Sequence, residues 1–480
     1  MEQRRTEPTR YLCAAVQIDE NFCDQLIKEF FEEDYIVIGL SHGIDLPTVL
    51  KSCLLAKKRR QDRDSRLWIL FFLLVATFLY GFFQFISPLH CFITISILYM
   101  IAWRIVFLHE RTSLYDIVGK HLLKGNFNPD FLNSQINSGI EKALEAIANT
   151  QDANVIIYGG FSPFVGSGIY INGWSFAIDI SKGKEEMGSV MKPLPFQVSE
   201  LYDYISEKIN ELELSGLSIE DKLYVSGQEI RDRKEFLPDP FMRPITRVDN
   251  AFVKSLIDKN NHIIRHYRCI QVKHWKGELV FSIFLRFTKI QHSLFVDANY
   301  YLLTPLSQYY RQFDTIKSKP SSEDIRKIAL KTALTTIYFG IASLISPFQE
   351  WSNSQANESQ RKEKQKEIKS NPAFNYGATT SLRERISFNN QYHRYFQKLD
   401  QEMYMRVIER RIIDGLLKFL DSKKIDTSDF KETKSALLNH GLIVSGGSIN
   451  ATNLSVGEKA KAVFNESFQS EEKMLRRQSQ

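Results

Sequence analysis

Two stretches of this chain carry residue types that can do chemistry. The first, NVIIYGGFSPFVGSGIYINGWSF at 154–176, runs from a strand-like apolar segment through a glycine-rich loop into an aromatic segment. Backbone N–H groups in such loops can cradle an anion. Its candidate pocket residues are Tyr158, Gly159, Gly160, Ser162, Gly166, Gly168, Trp174 and, a little further on, Asp179. The second stretch, RHYRC at 265–269, is followed by His274, Trp275 and Glu278. Arg265, His266, Arg268 and Glu278 bring charge to two strand starts, and a Cys–His–Glu nucleophilic site can be drawn there.

Neither stretch meets the spacing its chemistry needs. A P-loop requires G-x-x-x-x-G-K-[ST] opening a helix. Here the segment 160–166 lacks the lysine, and strand-like residues follow. A dinucleotide loop requires G-x-G-x-x-G leading into a helix, whereas Gly166-Ser167-Gly168 leads into Ile-Tyr-Ile. A kinase cover loop would come with the rest of the kinase set, which is missing. The loop therefore reads as a wide hairpin with glycines at positive-φ or bulge positions. His266 and Cys269 differ by three in a strand, so they point to opposite faces. That cluster reads as surface charge with one satisfied histidine. His42-Gly43-Ile44-Asp45 reads as a turn with Asp45 capping the next helix. No H-E-x-x-H, G-x-S-x-G or acidic metal cluster occurs. No cofactor, metal or reaction is assigned.

The elements that position these residues form an α+β pattern. Candidate strands lie at 154–158, 173–180, 222–226, 266–273, 277–287 and 293–303. In LVFSIFLRF at 279–287 one face is wholly apolar, as in a sheet buried on one side and partly covered on the other. A helix at 199–212 is expected to cover part of a mostly antiparallel sheet. Residues 1–60 read as a small cytosolic α/β element, with helices at 20–32 and 46–56 around a short strand at 35–40. Helices are expected at 113–123 and 129–148, the latter with Asn128 as cap. The cytosolic domain spans 111–349, and a polar linker or solvated helix fills 350–372. A helical C-terminal domain spans 373–466, with helices around 396–420 and 428–439, a short β end, and a disordered tail at 467–480.

The strongest signal is apolar. No charged residue occurs from 67 to 103. At about 37 residues this run exceeds one membrane span of about 20, and as a straight helix it would reach roughly 55 Å. Ser87-Pro88-Leu89-His90 breaks it, so two spans are expected at about 67–86 and 90–108 within a hairpin unit at 61–110. Lys57, Lys58, Arg59, Arg60, Arg63 and Arg66 precede the first span, and Arg104 ends the second. Trp68 and Trp103 stand at the same two ends as interfacial aromatics. The positive-inside rule then places both termini in the cytoplasm of a multi-pass inner-membrane protein. A third apolar segment, 325–348, has a one-sided stripe but contains Lys331. It is expected to pack on the cytosolic domain or lie in the interface rather than span.

Composition narrows the partners. The net charge of +6 over 480 residues lacks the concentrated basic face of a nucleic-acid binder. Five cysteines without a C-x-x-C pair give no zinc or disulfide framework. The expected partners are the lipid bilayer and either a second copy or a cytosolic protein, bound through 373–466.

As a set, RYLCAA at 10–15, HGIDLPTVL at 42–50, the basic flank with its hairpin, YGGFSPFVGSG and GWSFAIDI within 158–180, RHYRC and WKGELVFSIFLRF within 265–287, and LLTP at 302–305 resemble a family of uncharacterised bacterial membrane proteins. The likeness covers about 10–340 and implies two transmembrane helices with a large cytosolic domain, but no activity. The C-terminal part is loosely similar to adaptor segments of bacterial defence proteins. The expectation is a membrane-bound sensing or effector protein of bacterial defence or stress. Its rivals are a membrane-tethered hydrolase-like enzyme using the glycine-loop pocket, and a membrane scaffold for cytosolic partners.

Overall fold

A computed structural model of the chain describes residues 6–82, 88–135, 138–186, 188–259, 261–387, 391–428 and 430. Along the chain run helices α1 (Glu7–Ile18), α2 (Glu20–Ile27), α3 (Leu46–Phe82), α4 (Pro88–Arg111), α5 (Gly119–His121) and α6 (Ser138–Gln151). Strands β1 (Val155–Tyr158), β2 (Ile169–Asp179), β3 (Glu185–Glu186) and β4 (Ser189–Val190) follow, then α7 (Val198–Asn210), β5 (Leu217–Ser226), α8 (Asn250–Ser255), β6 (Ile264–His274), β7 (Leu279–Ile290) and β8 (Ser293–Leu303). Helices α9 (Gln308–Arg311), α10 (Ser322–Ser370), α11 (Leu382–Arg385) and α12 (Tyr395–Ser422) complete the order. The strands hydrogen-bond in the order β1-β5-β6-β7-β8-β2, and β3 with β4 forms a separate ribbon. β1 is parallel to β5, and β5 is antiparallel to β6 from Leu217↔Val272 to Val225↔Ile264. The class is α+β with a mostly antiparallel sheet.

By internal contacts the chain divides into two compact units. The first comprises residues 1–170, 214–282 and 301–401. Its helical core is built on α1, which is buried along almost its whole length. Thr6 caps α1 by accepting from the Thr9 N–H at 3.4 Å, and Pro8 pre-sets the first turn. Leu12, Leu26, Leu46, Val49, Leu50 and Val118 close this core. A second core lies on the sheet and joins Val155, Ile157, Leu223 and Val225 to Val37, Ile368 and Tyr376.

The apolar helices belong to the same unit, and α10 packs on both α3 and α4. The faces of α10 are sorted opposite to those of a soluble helix. Leu330, Leu334 and Ile337 are 67%, 75% and 63% exposed, whereas Thr332, Thr336 and Ser343 are 0%, 3% and 1% exposed. On α4 the Tyr99 hydroxyl donates to the Ala333 carbonyl at 2.8 Å, and the Trp103 indole donates to the Ala329 carbonyl at 3.1 Å. On α3 the Arg63 guanidinium lies 4.4 Å from the Phe339 ring centre. Further along, Asn357 donates to Glu32 at 2.7 Å and Gln365 to Tyr35 at 3.0 Å.

The second unit comprises residues 171–213, 283–300 and 402 onward. α7 lies against its strands, and the Tyr202 hydroxyl accepts from the Phe287 N–H at 2.8 Å. β7 and β8 are joined by a two-residue turn with Gln291 at φ 50°, which matches the twist of a hairpin. α12 approaches α7 at Gly415, where a Cβ would stand 2.8 Å from Ile205.

Several expectations change. Residues 35–40 are not a strand, so the expected α/β element at 1–60 is helical. The segment makes a backbone bond from Val37 N–H to the Tyr376 carbonyl at 2.9 Å but no ladder. Residues 129–148 are not one helix: Pro129–Gln135 is 3-10 and α6 starts at Ser138. The polar stretch after 350 continues α10 to Ser370. β1 and β2 are not neighbours, so the glycine loop is no hairpin turn. Residue 87 of the expected break, most of the expected 428–439 helix, the β end and the tail lie outside the described residues.

Candidate functional site

In the first unit the glycine loop is held by the chain's own carboxylate. Gly166 and Gly168 have φ of +91° and +87°, the left-handed region that glycine tolerates. Both N–H groups donate to Oε1 of Glu384 at 2.9 Å. The other oxygen of Glu384 accepts from the Ser381 N–H at 2.8 Å, in the capping box that opens α11. A Cβ on Gly166 would stand 2.3 Å from the Leu40 carbonyl oxygen, so the fit also requires glycine. Tyr158 bridges to Ala378, and the Gly159 N–H donates to the Ala378 carbonyl at 2.7 Å. Gly160 and Ser162 are exposed, with the Ser162 hydroxyl 3.3 Å from that of Tyr301. The segment from 371 to 387 thus straps the loop down, and its anion position is filled by Glu384.

The sheet register explains the second stretch. Asp221 pairs directly with Arg268, and Leu223 with His266, so Asp221 lies diagonal to His266 on one face. Asp221 accepts from Arg268 Nε at 2.8 Å and stands 2.9 Å from His266 Nε2. Burial alone would raise the Asp221 pKa, but the bonds to His266 and Arg268 outweigh it and hold it well below the usual carboxylate range. His266 and Arg268 are buried, not the surface charge expected, whereas Arg265 is exposed. Cys269 pairs opposite Glu220 in the ladder and is a buried free thiol.

Glu278 belongs to a third constellation. Its carboxylate accepts from Arg311 Nη2 at 2.8 Å and from the Gln397 amide at 3.2 Å. Its carbonyl accepts from Arg383, which also donates to the Thr304 carbonyl at 2.7 Å and to the Ser387 hydroxyl at 2.6 Å. Arg383 is wholly buried, and burial brings its pKa down to about 10.

In the second unit Trp174 is buried, and its indole donates to the Tyr300 hydroxyl at 2.8 Å and to Glu409 at 2.9 Å. Tyr300 also donates to Glu409 at 3.1 Å. Burial raises the Glu409 pKa, and these two bonds offset only part of that. Asp179 is exposed and accepts from the Ser181 N–H and hydroxyl.

At the base of the hairpin, Lys58, Arg66, Trp68 and Arg104 are exposed, and Lys57 and Trp103 are partly buried. Arg60 and Arg63 turn inward instead of reaching for solvent, toward Asp24 and Glu20. The twelve candidate pocket residues therefore fall into separate groups. Sequence reasoning missed Glu384, Arg383, Asp221 and Glu409; the S-x-x-E pattern at 381–384 marks Glu384 only as a helix cap, and no local pattern marks the other three or its bonds to the glycine loop.

Residues 173–451 match the AbeC-like domain. The match covers more than half of the 480 residues. The chain belongs to the AbeC-like family. No curated protein and no solved structure matches it. The AbeC-like region takes in Asp221, His266, Arg268, Glu278, Arg383, Glu384 and Glu409, and it leaves out the glycine loop, α3 and α4. Among the described residues two helices are long and apolar enough to cross a membrane, Phe92–His121 and Ser322–Ser370. Among them, too, no group of three or more His, Cys, Asp or Glu is placed to hold a metal.

Proposed function

We propose that the chain is an integral protein of a bacterial inner membrane whose cytosolic part senses a signal or acts as an effector at the bilayer. The observation that carries this reading is the inverted sorting of α10 together with the exposed apolar residues of α3 and α4. Ile69, Phe72 and Phe78 on α3, and Leu89, Phe92 and Met100 on α4, all stand outward. In water so large an apolar surface would be covered. In lipid it is the expected arrangement, with hydroxyl-bearing and small residues turned inward to the helix contacts.

The hairpin is the membrane-crossing part of this proposal, and α10 lies in the interface. Its 49 residues make a helix of about 74 Å. It meets α4 at Tyr99 and Trp103, then α3 at Arg63, beside the charged base of the hairpin. Both ends keep to the soluble part of the first unit. Asp324 near its start is bound by Lys317, and the Asn371 carbonyl at its end accepts from Arg231. A helix crossing the bilayer beside α4 would send its far end to the other side. A catalytic reading has less support, because the polar residues that would serve it are tied up in separate constellations.

The effector part is tested by membrane potential in cells expressing the full chain or a form lacking residues 67–108. Depolarisation by the full chain alone is the expected result. If neither form depolarises cells, the hairpin is an anchor and the effector reading is abandoned.

A further inference from the structure

The base of the hairpin contains a polar cleft of about 30 Å³, room for about two water-sized groups. Gln17 of α1, Arg59, Arg60 and Arg63 of α3, His109 of α4 and Ser113 line it. Carboxylates answer two of the three guanidinium groups. Arg60 pairs with Asp24 and, at 3.8 Å, with Glu20, and Arg63 pairs with Glu20 at 2.9 Å and Asp64 at 2.8 Å. Glu110, also in the lining, is taken by Lys331 at 3.2 Å. No carboxylate pairs with Arg59 among the described residues. Its Nη2 donates to the Ser113 hydroxyl at 3.1 Å, while Nε and Nη1 are buried with no partner. The neighbouring Arg60 Nε is buried without an acceptor as well, and Gln17 Oε1 without a donor.

Burial and the adjacent Arg60 bring the Arg59 pKa down to about 10, which leaves it charged at neutral pH. A buried guanidinium with unmade hydrogen bonds is costly, and an oxyanion is the group that satisfies it. Ser113 is brought to Arg59 by a π-helical turn, Thr112–Val118, directly after α4, and such turns recur at functional sites. We propose that this cleft binds a phosphate group, with Arg59 as its principal ligand and Ser113 positioning the guanidinium. Arg60 Nε adds a donor, and Gln17 accepts from a hydroxyl of the ligand. The open cleft takes about two of the phosphate oxygens, which accept from several N–H groups at once, and the rest of the group stays outside.

The arginines that line the cleft on α3 run from Arg59 to Arg63, roughly 12 Å to 6 Å before the apolar run begins at Leu67, with His109 just after the second apolar helix segment. The headgroup region of a bilayer extends about 5–8 Å beyond the hydrocarbon edge on each side, which reaches the Arg63 end of the cleft. An anionic lipid headgroup is one source of the ligand and rests on the membrane reading. A soluble phosphate does not need that reading.

The test uses the full chain in dodecyl maltoside, titrated calorimetrically with dihexanoyl phosphatidylglycerol, dihexanoyl phosphatidylcholine and inorganic phosphate. Whether the chain inserts in membranes is read separately, so failure here leaves that reading standing. Saturable binding of at least one anionic probe is expected. Arg59→Gln and Ser113→Ala should each weaken it at least about tenfold, while Lys58→Gln, which removes a neighbouring exposed charge, should change it less than about twofold. Binding of phosphatidylglycerol without inorganic phosphate assigns a lipid ligand, and the reverse assigns a soluble one. The proposal is overturned if neither anionic probe binds, if both Arg59→Gln and Ser113→Ala leave affinity unchanged, or if Lys58→Gln weakens it equally.

Discussion

Glu384 does three things with one side chain: it accepts from two glycine N–H groups and caps α11. Its removal leaves partly buried donors without acceptors, a loss of about 1–3 kcal/mol for each such group. Glu384→Ala should therefore lower stability by about 3 kcal/mol, and Glu384→Gln, which keeps an acceptor, by about 1 kcal/mol. Urea unfolding followed by circular dichroism checks this, and an unchanged midpoint for Glu384→Ala would show that the strap is held by other contacts. Asp221 gives a pH signature. Its carboxylate has a depressed folded pKa, so the stability it contributes is present above the unfolded value near 3.9 and is lost as pH falls through the folded one. Asp221→Asn should cost about 2 kcal/mol at pH 7, discounting for its 19% side-chain exposure, and should flatten the loss of stability below about pH 4. Parallel acid curves for the two proteins would refute this. The long-range partners of neither residue were legible in the sequence. Glu384 lies 218 residues from Gly166 and Asp221 lies 45 from His266, and periodicity carries no information about partners at such distances.

Elements were more legible than residues, because their signals are local. The alternation of SLFVDANYYLL marked β8 at both ends, and β1, β2, β6 and β7 lie within about four positions of where they were expected, whereas only the second half of β5 was expected and β3 and β4 were not. The segment at 35–40 failed because its apolar residues pack on a strap that follows α10, not on a ladder of its own. α10 was read as two pieces, an apolar helix and a polar linker or solvated helix, since composition changes abruptly near 350 while helix propensity does not. Its orientation is testable. On the proposed interfacial placement of α10, cysteines placed at Lys58 and Lys362 should both react with a membrane-impermeant maleimide from the same face of sealed vesicles. Labelling from opposite faces would make α10 a third span.

At the scale of the whole molecule, class and sheet type could be read from pattern, and the division into two units could not. Each unit gathers three separate runs of chain, and β7 contributes residues to both. Only long-range contacts reveal such an interleaved division, and a sequence reads as consecutive blocks. Membership of the AbeC-like family covers parts of both units but stops short of the hairpin. Seating in the bilayer is thus the claim on which the sensing or effector reading and the lipid form of the phosphate site depend. It is tested most directly by alkaline carbonate extraction of membranes from cells expressing the full chain, beside the form lacking residues 67–108. The full chain should stay in the membrane pellet and the shortened form should be released. Release of the full chain into the supernatant would contradict an integral membrane protein.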